Sequence, residues 1–428
     1  MGMKIVNGIS QTIVTYASRV RSFRPNARLY LVNVLISGVT MGIFRLLFNF
    51  YVLSLGYNEA LLGQLVTASS LAALIFALPM GYLADLLGRK ISLILSGALM
   101  VLSLAAMVIW PNATVFYLTN IVFGISQSLA AVTMAPFLME NSGEEERTYL
   151  FSIGSGLQMT AASIGNWIGG FLPSWVAASR MVEATSSVAY GGAVTITAFT
   201  AALGLLPLFF LKTPRVGRSE RTVFAPLAYA ARHPRKLGRL ILPMLLTSIG
   251  AGLIMPFMNV FYRQVYHQPD PVIGSLFAWG SLAMAIGLLV APPLADRMGK
   301  IKMVVITQGI SIPFLILLGF SPWFWLSAFA YYIRLALMNM SGPVYQTFVM
   351  ENVESSARST VASLVSMSWN FGWAFSPMVS GWFQVNYGFG PSYIGTILLY
   401  SISVYLYYVY FWRTPAENVK KEAQAPAG

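Results

Sequence analysis

Twelve stretches of roughly 20 apolar residues, the length a helix needs to cross a hydrocarbon core, dominate this chain. They occupy residues 29–55, 61–83, 91–110, 113–139, 150–177, 188–211, 240–265, 272–294, 303–320, 323–350, 361–383 and 393–412. Lipid offers no water to satisfy backbone N–H and C=O groups, so a spanning segment must close its hydrogen bonds within itself, as a helix does. An all-α membrane protein of twelve transmembrane helices is therefore expected. Composition agrees. Only 10% of the 428 residues are charged and 57% are hydrophobic, whereas soluble domains carry about 25% charged residues. With no cysteine there is no disulfide framework or thiolate metal site. The two histidines, His233 and His267, are far apart, and no metal or other cofactor is expected. The first apolar run lacks the short core and small-residue cleavage site of a signal peptide, so the N-terminus is expected to stay on the protein.

The net charge of +13 reads as topology rather than as nucleic-acid binding. Basic residues collect on the cytoplasmic side of a membrane protein. Here they crowd the N-terminal segment (Arg19, Arg21, Arg24, Arg28), the 2–3 loop (Arg89, Lys90), residues 212–239 and the 8–9 loop (Arg297, Lys300, Lys302). Arg147, Arg358 and the C-terminal tail add to the same side, while Arg180 and Arg263 fall on the other. Both termini are thus expected in the cytoplasm, in an inner (plasma) membrane. Residues 4–24 can lie along the membrane surface as an amphipathic helix, or form a disordered tail.

The chain also repeats. At an offset of 211 residues, Leu83-Ala84-Asp85 falls on Leu294-Ala295-Asp296, Gly88 on Gly299, Arg89 on Lys300, Met139-Glu140-Asn141 on Met350-Glu351-Asn352, and Gly170 on Gly381. With one residue of adjustment Gly42 and Asn49 fall on Gly252 and Asn259. Parallel repeats of six spans place a ligand site at the midplane between the halves. The expected layout is a cytoplasmic segment (1–28), an N-terminal six-helix bundle (29–212), a cytoplasmic linker (213–239), a C-terminal six-helix bundle (240–412) and a tail (413–428).

The run from Gly81 through Leu83-Ala84-Asp85, Gly88-Arg89-Lys90 and Leu93 resembles the cytoplasmic loop signature of the major facilitator superfamily, with Leu86 in place of the usual basic residue. A weaker copy follows at Leu294-Ala295-Asp296-Arg297 and Gly299-Lys300. The resemblance implies two pseudo-symmetric six-helix bundles around a cavity lined by spans 1, 4, 7 and 10, with 5 and 11 nearby. It further implies that Gly81, Asp85, Gly88, Arg89, Lys90, Glu140, Asp296, Gly299, Lys300 and Glu351 form a conformational latch between the halves. The alternative is that these charges only anchor loops. Gly165-Asn166-Trp167-Ile168-Gly169-Gly170 resembles a drug-antiporter motif of the superfamily, but Asn166 replaces its proline, and Asn120 replaces the arginine of the proton-antiporter signature in span 4. Both departures argue against drug–proton exchange.

Ionisable residues at mid-depth in a membrane are costly and usually functional. No carboxylate lies near the centre of any span, which argues against a simple proton relay and against cationic cargo. Two arginines do lie there, Arg45 in span 1 and Arg334 in span 10. A planar guanidinium suits carboxylate, phosphate or sulfate. The substrate-binding set expected around them is Asn49, Asn120, Gln127, Gln158, Asn259, Tyr331, Tyr345, Trp369, Asn370 and Trp373. Either the two arginines bind an anion, or they brace the fold against helix carbonyls and tyrosines. Trp110, Trp175, Trp323 and Trp325 read as an interfacial aromatic belt.

The expected protein is a monomeric secondary or facilitative transporter that works by alternating access on a small organic or phosphorylated anion, in contact with lipid and not with nucleic acid. A multidrug or lipid exporter is the alternative within the class, and a membrane solute sensor the alternative outside it. An enzyme is not expected, because no membrane-embedded nucleophile, base or metal-ligand set is visible.

Overall fold

The computed structural model describes residues 23–212, 234–353 and 358–412. Most of the expected amphipathic segment at 4–24, most of the linker and the whole tail lie outside them. Twelve helical spans follow one another with no strand among the described residues. The first half holds α1 (Pro25–Ser54), α2 (Glu59–Leu87), α3 (Arg89–Ile109), α4 (Ala113–Glu140), α5 (Glu144–Arg180) and α6 (Ser187–Phe209). The second holds α7 (Pro234–Ile254, a 3-10 turn Met255–Phe257, then helix again at Met258–Tyr266), α8 (Asp270–Met298), α9 (Lys300–Phe320), α10 (Phe324–Glu351), α11 (Arg358–Tyr387) and α12 (Gly390–Tyr407). A π-helical turn, Tyr408–Trp412, closes the described chain.

Local chemistry sets these ends. Asn58, Asn112 and Ser186 cap α2, α4 and α6, their side-chain oxygens accepting from Leu61, Val115 and Ala189 N–H groups. Gly88 (φ 80°) and Gly299 (φ 85°) turn the chain between α2 and α3 and between α8 and α9. At that φ a Cβ is strained, so both repeats need glycine there. The sequence predicts α7 as one continuous span; Pro256 instead interrupts it, because proline lacks the N–H that an α-helix requires. α5 begins at Glu144 rather than at 150.

Nine of these helices are long and apolar enough to cross a membrane. α5, α10 and α11 are long enough but more polar. Each of these three carries chamber-lining polar side chains.

Packing follows the repeat. In the first half α1 lies on α5 and α6, α4 on α2 and α3, and α3 on α6. The second half reproduces each pairing: α7 on α11 and α12, α10 on α8 and α9, α9 on α12. The main contacts between halves, α2 with α11 and α5 with α8, exchange with one another under the same repeat. At both crossings a glycine lets two backbones touch. A Cβ on Gly63 would strike the Pro377 carbonyl, and one on the equivalent Gly274 would lie 2.5 Å from the Asn166 carbonyl. Close backbone approach at small residues is how helices associate without a hydrophobic driving force. The lipid-facing side chains are large and apolar, as at Leu289, Phe199 and Leu102.

Candidate functional site: a chamber between the halves

A chamber of about 1080 Å³ lies between the two bundles. Of the twelve side chains expected to bind substrate, eleven line it: Arg45, Asn49, Asn120, Gln127, Asn259, Tyr331, Arg334, Tyr345, Trp369, Asn370 and Trp373. Gln158 is not among the lining residues. Asn166 is the α5 residue that reaches the chamber, and Gln158 sits two turns away, rotated by about 80° at 3.6 residues per turn. Asn166, Gln308, Asn339, Gln346 and Tyr400 also line the chamber and were not anticipated. Gln308 and Tyr400 lie on α9 and α12, helices that the resemblance gives no reason to place at the cavity.

The two guanidiniums differ. Arg45 extends from α1 into the chamber, exposed, with no hydrogen-bond or ion-pair partner among the described residues. Arg334 on α10 is 1% exposed. Its Nη2 donates to the Tyr400 hydroxyl at 3.1 Å, and its guanidinium carbon lies 5.5 Å from the centroid of that ring. Nε and Nη1 of Arg334 are buried with no acceptor. A buried charge left without partners costs several kcal/mol, and no carboxylate among the described residues lines the chamber to offset it.

The chamber is sealed at the end far from the Gly88 and Gly299 turns. Asn49 Nδ2 donates to the Pro256 carbonyl (2.7 Å) and to Asn259 Oδ1 (2.8 Å), while Asn259 Nδ2 donates to the Leu46 carbonyl at 2.7 Å. Leu46 and Pro256 are repeat partners, as are Asn49 and Asn259, so the clasp is a pseudo-twofold exchange of equivalent bonds. Further out, Tyr190 donates to Asp270 Oδ2 at 2.7 Å. Arg263 pairs with Asp270, donates to the Tyr190 hydroxyl at 2.6 Å, and stacks 3.5 Å from the Phe50 ring centroid. Phe50 and Tyr190 belong to the first half, Arg263 and Asp270 to the second. Arg263 lies in the last segment of α7, and Asp270 is buried.

At the opposite end, the charges expected to latch the halves are satisfied within each half. Arg89 pairs with Asp85 (2.7 Å) and with Glu140 (3.1 Å), tying α2, α3 and α4 together. Lys90 donates to the Phe209 and Leu211 carbonyls at the end of α6. In the second half Lys300 pairs with Glu351, and Asp296 is exposed. Space for a Cβ is open at Gly81.

Two repeat-related helical bundles around one central chamber are the architecture of a transporter that carries solutes through a membrane. A family model described as Major Facilitator Superfamily matches residues 30–248 and again 240–427, and the chain belongs to that superfamily of small-solute transporters, which are not enzymes. Among curated relatives, the chain is 23% identical to "Multidrug resistance protein MdtG" of Proteus mirabilis (strain HI4320), over 78% of this chain and 81% of the relative. It is 28% identical to "Uncharacterized MFS-type transporter YxaM" of Bacillus subtilis (strain 168), over 32% of this chain and 34% of that one. Solved structures with the same fold include the nucleoside transporter NupG (TM-score 0.73, 14% identity, 90% of this chain and 98% of that one). Another is a bacterial homologue of the human lysosomal transporter Spinster (TM-score 0.74, 12% identity, 96% and 99%).

Proposed function

We propose that this protein carries a small organic or phosphorylated anion across a bacterial inner membrane by alternating access, working as a monomer with both termini in the cytoplasm. The observation that carries the reading is the pair Arg45 and Arg334. Both residues line one chamber, neither has a carboxylate partner, and no acid among the described residues lines the walls. An arginine kept only as a brace is expected to have its donors used, yet two buried nitrogens of Arg334 have no acceptor.

The repeat supplies a second argument. Residues that move the halves recur in both: Asn49 with Asn259, Asp85 with Asp296, Arg89 with Lys300, Glu140 with Glu351. The arginines do not recur, since Met255 stands at the position equivalent to Arg45 and Phe123 at that of Arg334. Machinery is duplicated; a seat for a one-sided cargo need not be. With the basic loops in the cytoplasm, the sealed end faces outward and this conformation is open inward. Asp85, Arg89, Glu140, Lys300 and Glu351 then stand ready to bridge the halves when the inner side closes.

A multidrug exporter is the second reading, favoured by the relatives named for multidrug resistance. The test is transport and thermal stabilisation of the purified protein in proteoliposomes with anions against hydrophobic cations. Arg45→Ala and Arg334→Ala are expected to abolish anion uptake. Unchanged uptake in both variants, or stabilisation by cations alone, removes the anion reading.

A further inference from the structure

We infer that the cargo is an amphiphilic anion, a single acidic group on an apolar or aromatic body, rather than a polyhydroxylated phosphate. The inference rests on the anion reading above and narrows it. Its basis is a division of the chamber wall into polar groups that are already used and donors that are not.

A polyol is recognised by amides and hydroxyls that exchange hydrogen bonds with its hydroxyls. Here most such groups are spent inside the protein. Asn120 donates to the Phe116 carbonyl (2.8 Å), Asn339 to Leu335 (2.9 Å), Tyr345 to Leu240 (2.6 Å) and Thr247 to Pro243 (3.0 Å). Gln308 donates to the Ser341 hydroxyl at 3.0 Å. Asn49 and Asn259 hold each other across the sealed end. Of the nine lining amides five are thus engaged; Asn166, Gln346 and Asn370 have no such bond among the described residues, and Gln127 reaches only the Met41 sulfur at 3.9 Å.

The open donors are of another kind. Arg45 is exposed in the chamber with no partner among the described residues, while Nε and Nη1 of Arg334 and the indole N–H of Trp373 also lack acceptors but are buried. A guanidinium donates and cannot accept, so cargo that pairs with Arg45 must bring acceptor oxygens, and an anionic head supplies them. The remaining wall is soft and apolar. Met41, Met244, Met255, Met258, Met284 and Met338 line it together with phenylalanines and Trp369. Methionine adapts to irregular apolar shapes and contacts aromatic rings favourably. At about 1080 Å³ the space reaches the upper end of small-molecule pockets, on the order of 1,000 Å³, far more than an acidic head needs.

The experiment measures binding of four probes to the purified full-length protein in nanodiscs: 1-naphthalenesulfonate, glucose 6-phosphate, 1-naphthalenemethanol and tetraphenylphosphonium. The sulfonate is expected to bind at least tenfold more tightly than the other three, since hydrogen bonds to a charged group are worth a factor of about ten or more. Arg45→Gln keeps a polar side chain and removes the charge. It should weaken the sulfonate about tenfold and leave the neutral alcohol unchanged. Equal or tighter binding of glucose 6-phosphate overturns the amphiphile inference and leaves the anion reading standing. Equal binding of the alcohol, preference for the phosphonium ion, or binding of none of the four overturns both.

Discussion

Truncating Asn49 to alanine should loosen the sealed end of the chamber by a magnitude the clasp itself defines. The Asn49 amide makes two bonds across the halves, at 2.7 Å to Pro256 and 2.8 Å to Asn259. A buried hydrogen bond contributes about 1 kcal/mol net, so their loss costs about 2 kcal/mol and lowers the ratio of sealed to unsealed conformers about 30-fold. Asn259 is not stranded by the change: it keeps its bond to the Leu46 carbonyl, and its Oδ1 still accepts from the Val260 N–H at 3.0 Å. The pseudo-twofold makes a sharper claim. Asn259→Ala also removes two of the three bonds, so it should match Asn49→Ala. The double variant loses three bonds, about 3 kcal/mol rather than the about 4 kcal/mol of simple addition, because one bond is shared. The chain has no cysteine, so Met181→Cys and Trp325→Cys can carry spin labels on opposite halves at the sealed end. Both sites are well exposed, 94% and 80%. Electron-electron resonance distances should show a longer population growing in the single variants and growing further in the double. An unchanged distance distribution, or fully additive singles, refutes the reciprocal clasp.

Three further outcomes follow from the same geometry. Asp270→Asn breaks the buried pair with Arg263 and should lower the unfolding midpoint by an amount corresponding to about 3 kcal/mol, with much of it recovered in Asp270→Asn/Arg263→Met; a double variant less stable than either single contradicts the pairing. Gly63→Ala and Gly274→Ala each set a Cβ against backbone of the other half, so both should suppress the sealed state and transport, whereas Gly81→Ala, with open space around it, should transport normally. Equal loss at all three would count against close packing as the cause. Lys300→Ala removes a pair whose side chains are 32% and 55% exposed, so thermal unfolding should register less than about 1 kcal/mol.

Much of the fold was legible along the chain because lipid makes the signal local. Each span must satisfy its own backbone and present an apolar surface, so length and hydropathy mark it one segment at a time. The helices start and stop near the expected residues, and the offset that aligns Asp85 with Asp296 also aligns the packing of α1 on α5 with that of α7 on α11. The sequence also identified the two mid-depth arginines, because a charge inside an apolar run is visible without knowing what surrounds it.

What surrounds such a residue is another matter. Asn49 and Asn259 were expected to meet cargo, and the fold makes them meet each other. Nothing in the sequence pairs Asp270 with Arg263 or brings Tyr190 of α6 against them. Tyr400 gave no sign in the sequence of being the hydroxyl that holds Arg334, and on α5 it is Asn166, not Gln158, that lines the chamber. Which end of the chamber is sealed was likewise undetermined. A repeat states that two positions are equivalent, not that they touch. Contact depends on the azimuth of each helix and on which helices cross, and those are fixed only when both halves pack, through backbones that meet at Gly63 and Gly274.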